Sequence, residues 1–225
     1  MSPEDALAQI EAQADPGRAE GMAEYHKVPR RYIGTPNSVL NDLAQDWRRT
    51  LSLPERQALA DALWATDIFE ARVVAAKLLT QARIRDDGPV WDLLRSWVPE
   101  FDSWAIADHA ASAIGRRLVA EPARLETVEG WVTSDHMWTR RAALVATLPW
   151  AKLPHPSDAD FATRDRILGW AAELAPDRDR FIQKAVSWWL RDLGKHDAPR
   201  AMAFLDQHGT KLTPAARKDA SRLLR

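Results

Sequence analysis

Residues 97–104 read WVPEFDSW and residues 131–138 read WVTSDHMW. Trp97 and Trp131 are 34 positions apart, and so are Trp104 and Trp138. Each bracket spans a break between two helix-forming stretches. Residues 64–74, WATDIFEARVV, resemble the same pattern without its second tryptophan. A repeat in the thirties, one helical hairpin per unit, is the mark of an α-solenoid. Coincidence within a tryptophan-rich helical bundle is the plain alternative, but chain length, helix size and loop punctuation favour the solenoid.

Outward from these brackets, the chain reads as a string of short helices. We expect them near 3–13, 17–26, 37–51, 54–65, 67–83, 87–97, 101–118, 122–132, 135–149, 159–174, 178–193, 198–208 and 214–224. The breaks fall at Pro54, Pro89, Pro99, Pro122, Pro154, Pro156, Pro176, Pro199 and Pro214, as proline suits helix starts and not interiors. Thr35-Pro36 and Thr213-Pro214 read as N-caps followed by first-turn prolines, and Ser134 as the cap of helix 135–149. No long period-2 alternation and no Asn-Gly hairpin turn marks a strand. The expected fold is all-α: a superhelix of about six helical pairs forming a single domain over residues 1–225. Its concave face would be lined by helices 67–83, 101–118, 135–149 and 178–193.

Composition agrees. Of 225 residues, 11 are Trp and only 9 Gly, and scarce glycine with plentiful Ala, Leu and Arg favours helix. The absence of cysteine excludes disulfides, thiolate zinc sites and cysteine nucleophiles. No run approaches the roughly 18–20 apolar residues of a membrane span, and the acidic start MSPEDALAQIEAQADPGRAE is unlike a secretory signal. A cytoplasmic monomer is the default expectation. The net charge of −1 excludes a globally basic nucleic-acid binder but not a local cationic face.

Catalytic signatures such as a glycine-rich phosphate loop, HExxH or GxSxG are absent. The six histidines show no metal-ligand spacing, and most read as surface or cap residues. Helix 101–118 is more informative. Trp104 and Asp108 lie one turn apart on one face. Ala111, Ala113, Ile114 and Gly115 continue with small groups that would leave room beside them. In helix 178–193, Trp188 and Trp189 point about 100° apart. Ile182, Val186, Trp189 and Leu193 make the core stripe. That leaves Trp188 on the flank with Lys184, Arg191 and Asp192, as a half-buried residue or an exposed aromatic wall. Arg140 and Arg141 are either a solvated pair or a phosphate fork. Lys27, Arg30 and Arg31, then Arg48-Arg49, Arg116-Arg117, Arg178, Arg180, Lys184, Arg191 and Lys195, could make a cationic groove with tryptophans between.

Four segments in order, YHKVPRRYIGTP (25–36), SWAIAD (103–108), WVTSDHMWTRRAALV (131–145) and FIQKAVSWWLRDLGKHDAPRAMAFLDQHGTKLT (181–213), resemble the DNA alkylation repair family of AlkD-like alkylpurine DNA glycosylases. The resemblance runs from about residue 20 to the C-terminus. It implies a solenoid of HEAT-like repeats, with Trp104 and Asp108 as the family's Trp-x-x-x-Asp and Asp108 as catalytic carboxylate. It further implies Arg141 as a DNA contact near the lesion, and Trp188 and Tyr25 as walls of the lesion cleft. The pattern departs at Ala105, where many members carry a second Asp, and at His109.

The implied substrate is double-stranded DNA with cationic N3- or N7-alkylated purines, without metal or cofactor. Asp108, ionised, would stabilise an oxocarbenium-like sugar while Trp104 and Trp188 bracket it. No deep pocket for a flipped base is expected. Arg141, Arg140, Tyr25, Lys27, Arg30, Arg31 and Lys184 would hold the DNA. A non-catalytic HEAT-repeat scaffold for DNA or protein is the alternative, and an unrelated enzyme on a helical bundle a third reading.

Overall fold

The computed structural model describes residues 1–224, and they form two compact units, Met1–Ala120 and Glu121 onward. All regular structure among the described residues is helical. Among the described residues, no helix is long and apolar enough to cross a membrane.

The first unit contains α1 (Pro3–Glu11), α2 (Pro16–His26), α3 (Asn37–Thr50), α4 (Leu53–Ala65), α5 (Phe69–Leu79), α6 (Gly88–Ser96) and α7 (Trp104–Ala120). They pack in two rows: α1, α4 and α6 in one, and α3, α5 and α7 in the other. Helix α5 is the axis of the unit. Every residue from Phe69 to Ala76 is buried, as a helix needs when neighbours cover it on all sides. The tryptophan bracket behaves as a hairpin corner. Trp97 caps α6 and stacks on Trp64 at 4.2 Å with parallel rings, while Trp104 opens α7. The Trp64 indole donates to Glu100, and Arg72 covers the ring and reaches the same carboxylate.

The second unit contains α8 (Leu125–Glu129), α9 (Met137–Val145), α10 (Leu148–Ala151), α11 (Asp158–Leu174), α12 (Arg180–Leu193), α13 (Ala198–His208) and α14 (Pro214–Ala220). Its axis is α12, on which α9, α10, α11, α13 and α14 all pack. Ile182, Val186, Trp189 and Leu193 are fully buried, so the stripe expected from the 100° step is the core stripe. Burying a side chain of that kind contributes roughly 1.5–3 kcal/mol.

Proline punctuation holds at Pro54, Pro89, Pro199 and Pro214, each in the first turn of its helix. Thr213 caps α14 by accepting from the Ala216 amide. Other expectations need correcting. Thr35 caps nothing: its hydroxyl is buried and donates to the Ile10 carbonyl at 2.7 Å, and Pro36 holds the cap position. Ser134 accepts from the His136 amide, and His136 precedes α9. Helix 135–149 is two helices, because Pro149 starts a new turn. The Thr147 hydroxyl, fully buried, satisfies the Ala143 and Leu144 carbonyls at the break. Helix 122–132 is a 3-10 turn followed by the short α8.

Helix 67–83 shrinks to α5, with a cause at each end. Asp67 takes a left-handed conformation at φ 55°. Beyond Leu79, the fully buried Arg117 of α7 donates to Asp87 and to the Gln81 and Ala82 carbonyls. Arg117 therefore holds the loop after α5 rather than belonging to a cationic groove.

Candidate functional site

In the first unit α2, α3, α5 and α7 border an open hollow of about 490 Å³, lined among others by Tyr25, His26, Phe69, Trp104, Asp108 and His109. The helical spacing of Trp104 and Asp108 accounts for their common wall. The room does not come from the small-residue stripe, which corrects that expectation. Ala111, Ala113, Ile114 and Gly115 are all buried, and they let α7 close on α5 and α6. The hollow exists because α2 stands off and buries none of its own residues.

What positions α2 is a strap formed by the residues that follow it. Glu70 of α5, fully buried, accepts from the Ile33 amide at 2.9 Å and the Gly34 amide at 2.7 Å. The Asp15 amide, at the α2 N-cap, donates to the Ile33 carbonyl at 3.2 Å. Three hydrogen bonds, two of them to one buried carboxylate, thus tie the strap to α5 and to the N-cap of α2.

The aromatic rings of the hollow meet at His26. Its ring centroid lies 4.7 Å from Phe69, 5.6 Å from Trp104, 5.1 Å from Tyr25 and 6.0 Å from Tyr32. Tyr25 meets Trp104 edge-on at 6.1 Å and is 69% exposed, so most of its ring is available to a ligand. Burial, with Arg30 nearby, holds the His26 pKa below the ordinary value. A neutral imidazole among these rings adds no positive charge to the hollow.

His109 also lines the hollow, and burial, aided by the Lys77 charge, lowers its pKa to about 4. Surface or cap placement was expected for most of the histidines, and His26 and His109 are the exceptions that line this hollow. The unfolded chain protonates His109 near 6.5 and the fold does not until about 4, so stability is full above pH 6.5 and falls as pH drops through that window. By pH 5 the loss from this one group is ~2 kcal/mol. His109→Gln should lose less stability than wild type between pH 7 and 5 in paired thermal melts, and equal losses would contradict this assignment.

The remaining candidates of the first unit follow α2. Lys27 is exposed and ends α2 in a left-handed conformation at φ 56°. The Arg30 side chain is only 2% exposed, and it pairs with Asp67 and Asp102. This corrects its expected place among DNA contacts: it anchors the loop before α5 to the corner before α7. Arg31 is exposed and pairs with Glu11 at 2.6 Å.

In the second unit the candidates sit on α9 and α12, which pack together. Arg141 is 4% exposed and donates to the Phe181 carbonyl at 2.8 Å. Arg140 donates to the Ser134 and Asp135 carbonyls and pairs with Asp177 at 3.0 Å. Neither is a solvated arginine. Trp138 packs on Phe181 at 4.7 Å, with the exposed Lys184 on the same ring. Trp188 is half-buried, as its flank position implies. Its indole donates to Asp192 at 2.9 Å, and Lys152 lies 5.4 Å over the ring. Burial works against the Asp192 carboxylate, but Lys195, Lys152 and Trp188 outweigh it and hold its pKa below the ordinary value. Arg191 pairs with Asp219 at 2.7 Å.

The structure thus gathers Tyr25, Trp104 and Asp108 around one hollow, and places Arg140, Arg141, Lys184 and Trp188 on two packed helices. His26, Phe69 and His109 were missed. His26 follows Tyr25 and His109 follows Asp108, so adjacency was their only signal.

A predicted DNA alkylation repair enzyme from Enterococcus faecalis superposes with a TM-score of 0.76 at 21% identity, over 93% of this chain and 96% of that one. AlkD2 from Streptococcus mutans superposes with a TM-score of 0.66 at 18% identity, over 99% and 97% of the two chains. At such identities these likenesses show a shared fold. No curated protein matches the sequence. The DNA alkylation repair enzyme family matches residues 6–224. A match over nearly the whole sequence decides the matter: the chain belongs to the DNA alkylation repair enzyme family.

Proposed function

We propose that the protein is a monofunctional DNA glycosylase that releases cationic N3- or N7-alkylated purines from duplex DNA, acting as a monomer and as a single repeat domain. The observation that carries this reading is the hollow that Asp108 shares with Tyr25, His26, Phe69 and Trp104. A carboxylate beside aromatic faces suits a positive charge that develops on a sugar.

The chemistry follows from the substrate. An N3- or N7-alkylated purine is already cationic, so breaking the C1′–N bond releases it as a neutral base. The bonding electron pair leaves with the base, and the positive charge moves to the sugar. No acid is needed for the leaving group. Asp108 stabilises the oxocarbenium-like sugar and orients water, which adds to C1′ and gives up a proton. Charges placed in advance of the reaction typically contribute 10²–10³ in rate. Tyr25 and Trp104 add aromatic faces worth roughly 0.5–2 kcal/mol per cationic contact, and only contacts stronger in the transition state speed the step. The sequence resemblance assigns Trp188 the same part and Arg141 a phosphate near the lesion. Lys27, Arg31, Arg140 and Lys184 supply further positive charge.

The test is single-turnover release of free base from a duplex carrying one 7-methylguanine. Salt-sensitive DNA binding without release would favour a non-catalytic DNA scaffold, and absence of both a protein-binding one.

A further inference from the structure

A second hollow, about 330 Å³, opens on the α3–α5–α7 row. It is lined by Asn41, Gln45, Arg48, Lys77, His109 and Ser112, with Thr80 and Ala44. His109 lines both hollows, so the two adjoin. Asn41, Gln45 and Arg48 recur at helical spacing and form one stripe of α3.

The charge of this hollow is one-sided. None of its lining residues is a carboxylate. Arg48 donates to the Lys77 carbonyl at 2.7 Å, and Lys77 donates to the Asn41 side-chain oxygen at 2.5 Å. Neither cation has an ion-pair partner among the described residues. Elsewhere four arginines with buried side chains, Arg30, Arg72, Arg117 and Arg164, each meet a carboxylate. Burial lowers the Lys77 pKa, and Arg48 lowers it further; Lys77 in turn lowers that of His109. Two half-buried cations and an imidazole therefore face one another unneutralised, and such an arrangement costs stability unless an anion arrives. The neutral donors around them, the Asn41 and Gln45 amides and the Ser112 hydroxyl, suit tetrahedral oxygens.

We infer that this hollow is a phosphate subsite, filled by a backbone phosphate of the duplex beside the Asp108 hollow. This rests on the DNA-repair reading for its ligand, though not for its preference for phosphate. Lys77 is then a positioning residue that fixes the register of the strand, without touching the reacting sugar.

The test uses the full-length protein and an undamaged duplex, with binding followed over a salt series for wild type, Lys77→Met and Lys77→Arg. Losing one phosphate contact reduces the slope of log K against log salt by about 0.9. We expect that reduction in Lys77→Met, about a tenfold affinity loss at low salt, and equal losses on damaged and undamaged duplexes. Lys77→Arg should keep the wild-type slope. The melting temperature of Lys77→Met should not fall, because the variant removes a repelled charge. Unchanged slope and affinity in Lys77→Met would overturn the assignment. If wild type binds no duplex at all, the DNA reading itself fails, and inorganic phosphate then decides the subsite. A His109 imidazole shift on adding phosphate, lost in Lys77→Met, would support an anion site. No shift would overturn it.

Discussion

Gly34→Ala should lower the melting temperature by ~10 °C, from a loss on the order of 3–5 kcal/mol. Gly34 sits at φ +84°, and a Cβ there would lie 2.0 Å from the Asp15 carbonyl oxygen and 2.8 Å from the Ala19 amide nitrogen. Both are backbone atoms of α2 and its cap, so no side chain can turn aside. The strap must move, and with it the two amides that Glu70 accepts from. Because the strap sets where α2 stands, damaged-DNA binding should weaken along with stability. Gly21→Ala is the matched control. It lies inside α2, where an added Cβ meets nothing within 4 Å, and should stabilise by ~0.5–1 kcal/mol. Melts of the two variants beside wild type give the comparison. A Gly34→Ala melt within 2 or so degrees of wild type would show that the strap does not set the position of α2.

Asp108→Asn should reduce single-turnover excision by at least ~10²–10³-fold, the range for loss of one preorganised electrostatic group. The substitution keeps size and shape and removes only the charge. DNA is a polyanion, so binding should stay level or tighten slightly. That opposite movement of binding and excision separates a catalytic carboxylate from one that merely holds α7 in place. A purely structural role would instead lower the melting temperature and weaken both functions together. Asp108→Glu restores the charge on a longer arm and should recover part of the rate. Excision unchanged in Asp108→Asn would remove Asp108 from the mechanism.

Much of the fold was legible because it rests on local rules. The 34-residue tryptophan interval marked hairpin corners, and Trp97 and Trp104 stand at one. First-turn prolines located helix starts at Pro54, Pro89, Pro199 and Pro214. The 100° step between helical neighbours separated the buried Trp189 from the half-buried Trp188. What stayed hidden depends on residues far apart in the chain. Arg117 holds a loop 35 and 36 residues before it, and nothing near it in sequence reveals this. Gly34 touches Asp15, and His26 joins rings from α2, α5 and α7 with Tyr32 from the strap. The alanine stripe of α7 was misread for a related reason. Small residues permit either an open groove or close helix packing, and only the neighbours decide. Runs of arginine proved equally ambiguous. Arg30 and Arg117 sit among exposed basic residues in sequence, yet both are buried with carboxylates.

Whether the Asp108 hollow cleaves a glycosidic bond is read from the products. Wild type in excess over a duplex carrying a single 7-methylguanine should release the free base and leave an abasic site in equal amount, with no added metal or cofactor. Intact 7-methylguanine in the duplex, under conditions where the protein is demonstrably bound to it, would contradict the account.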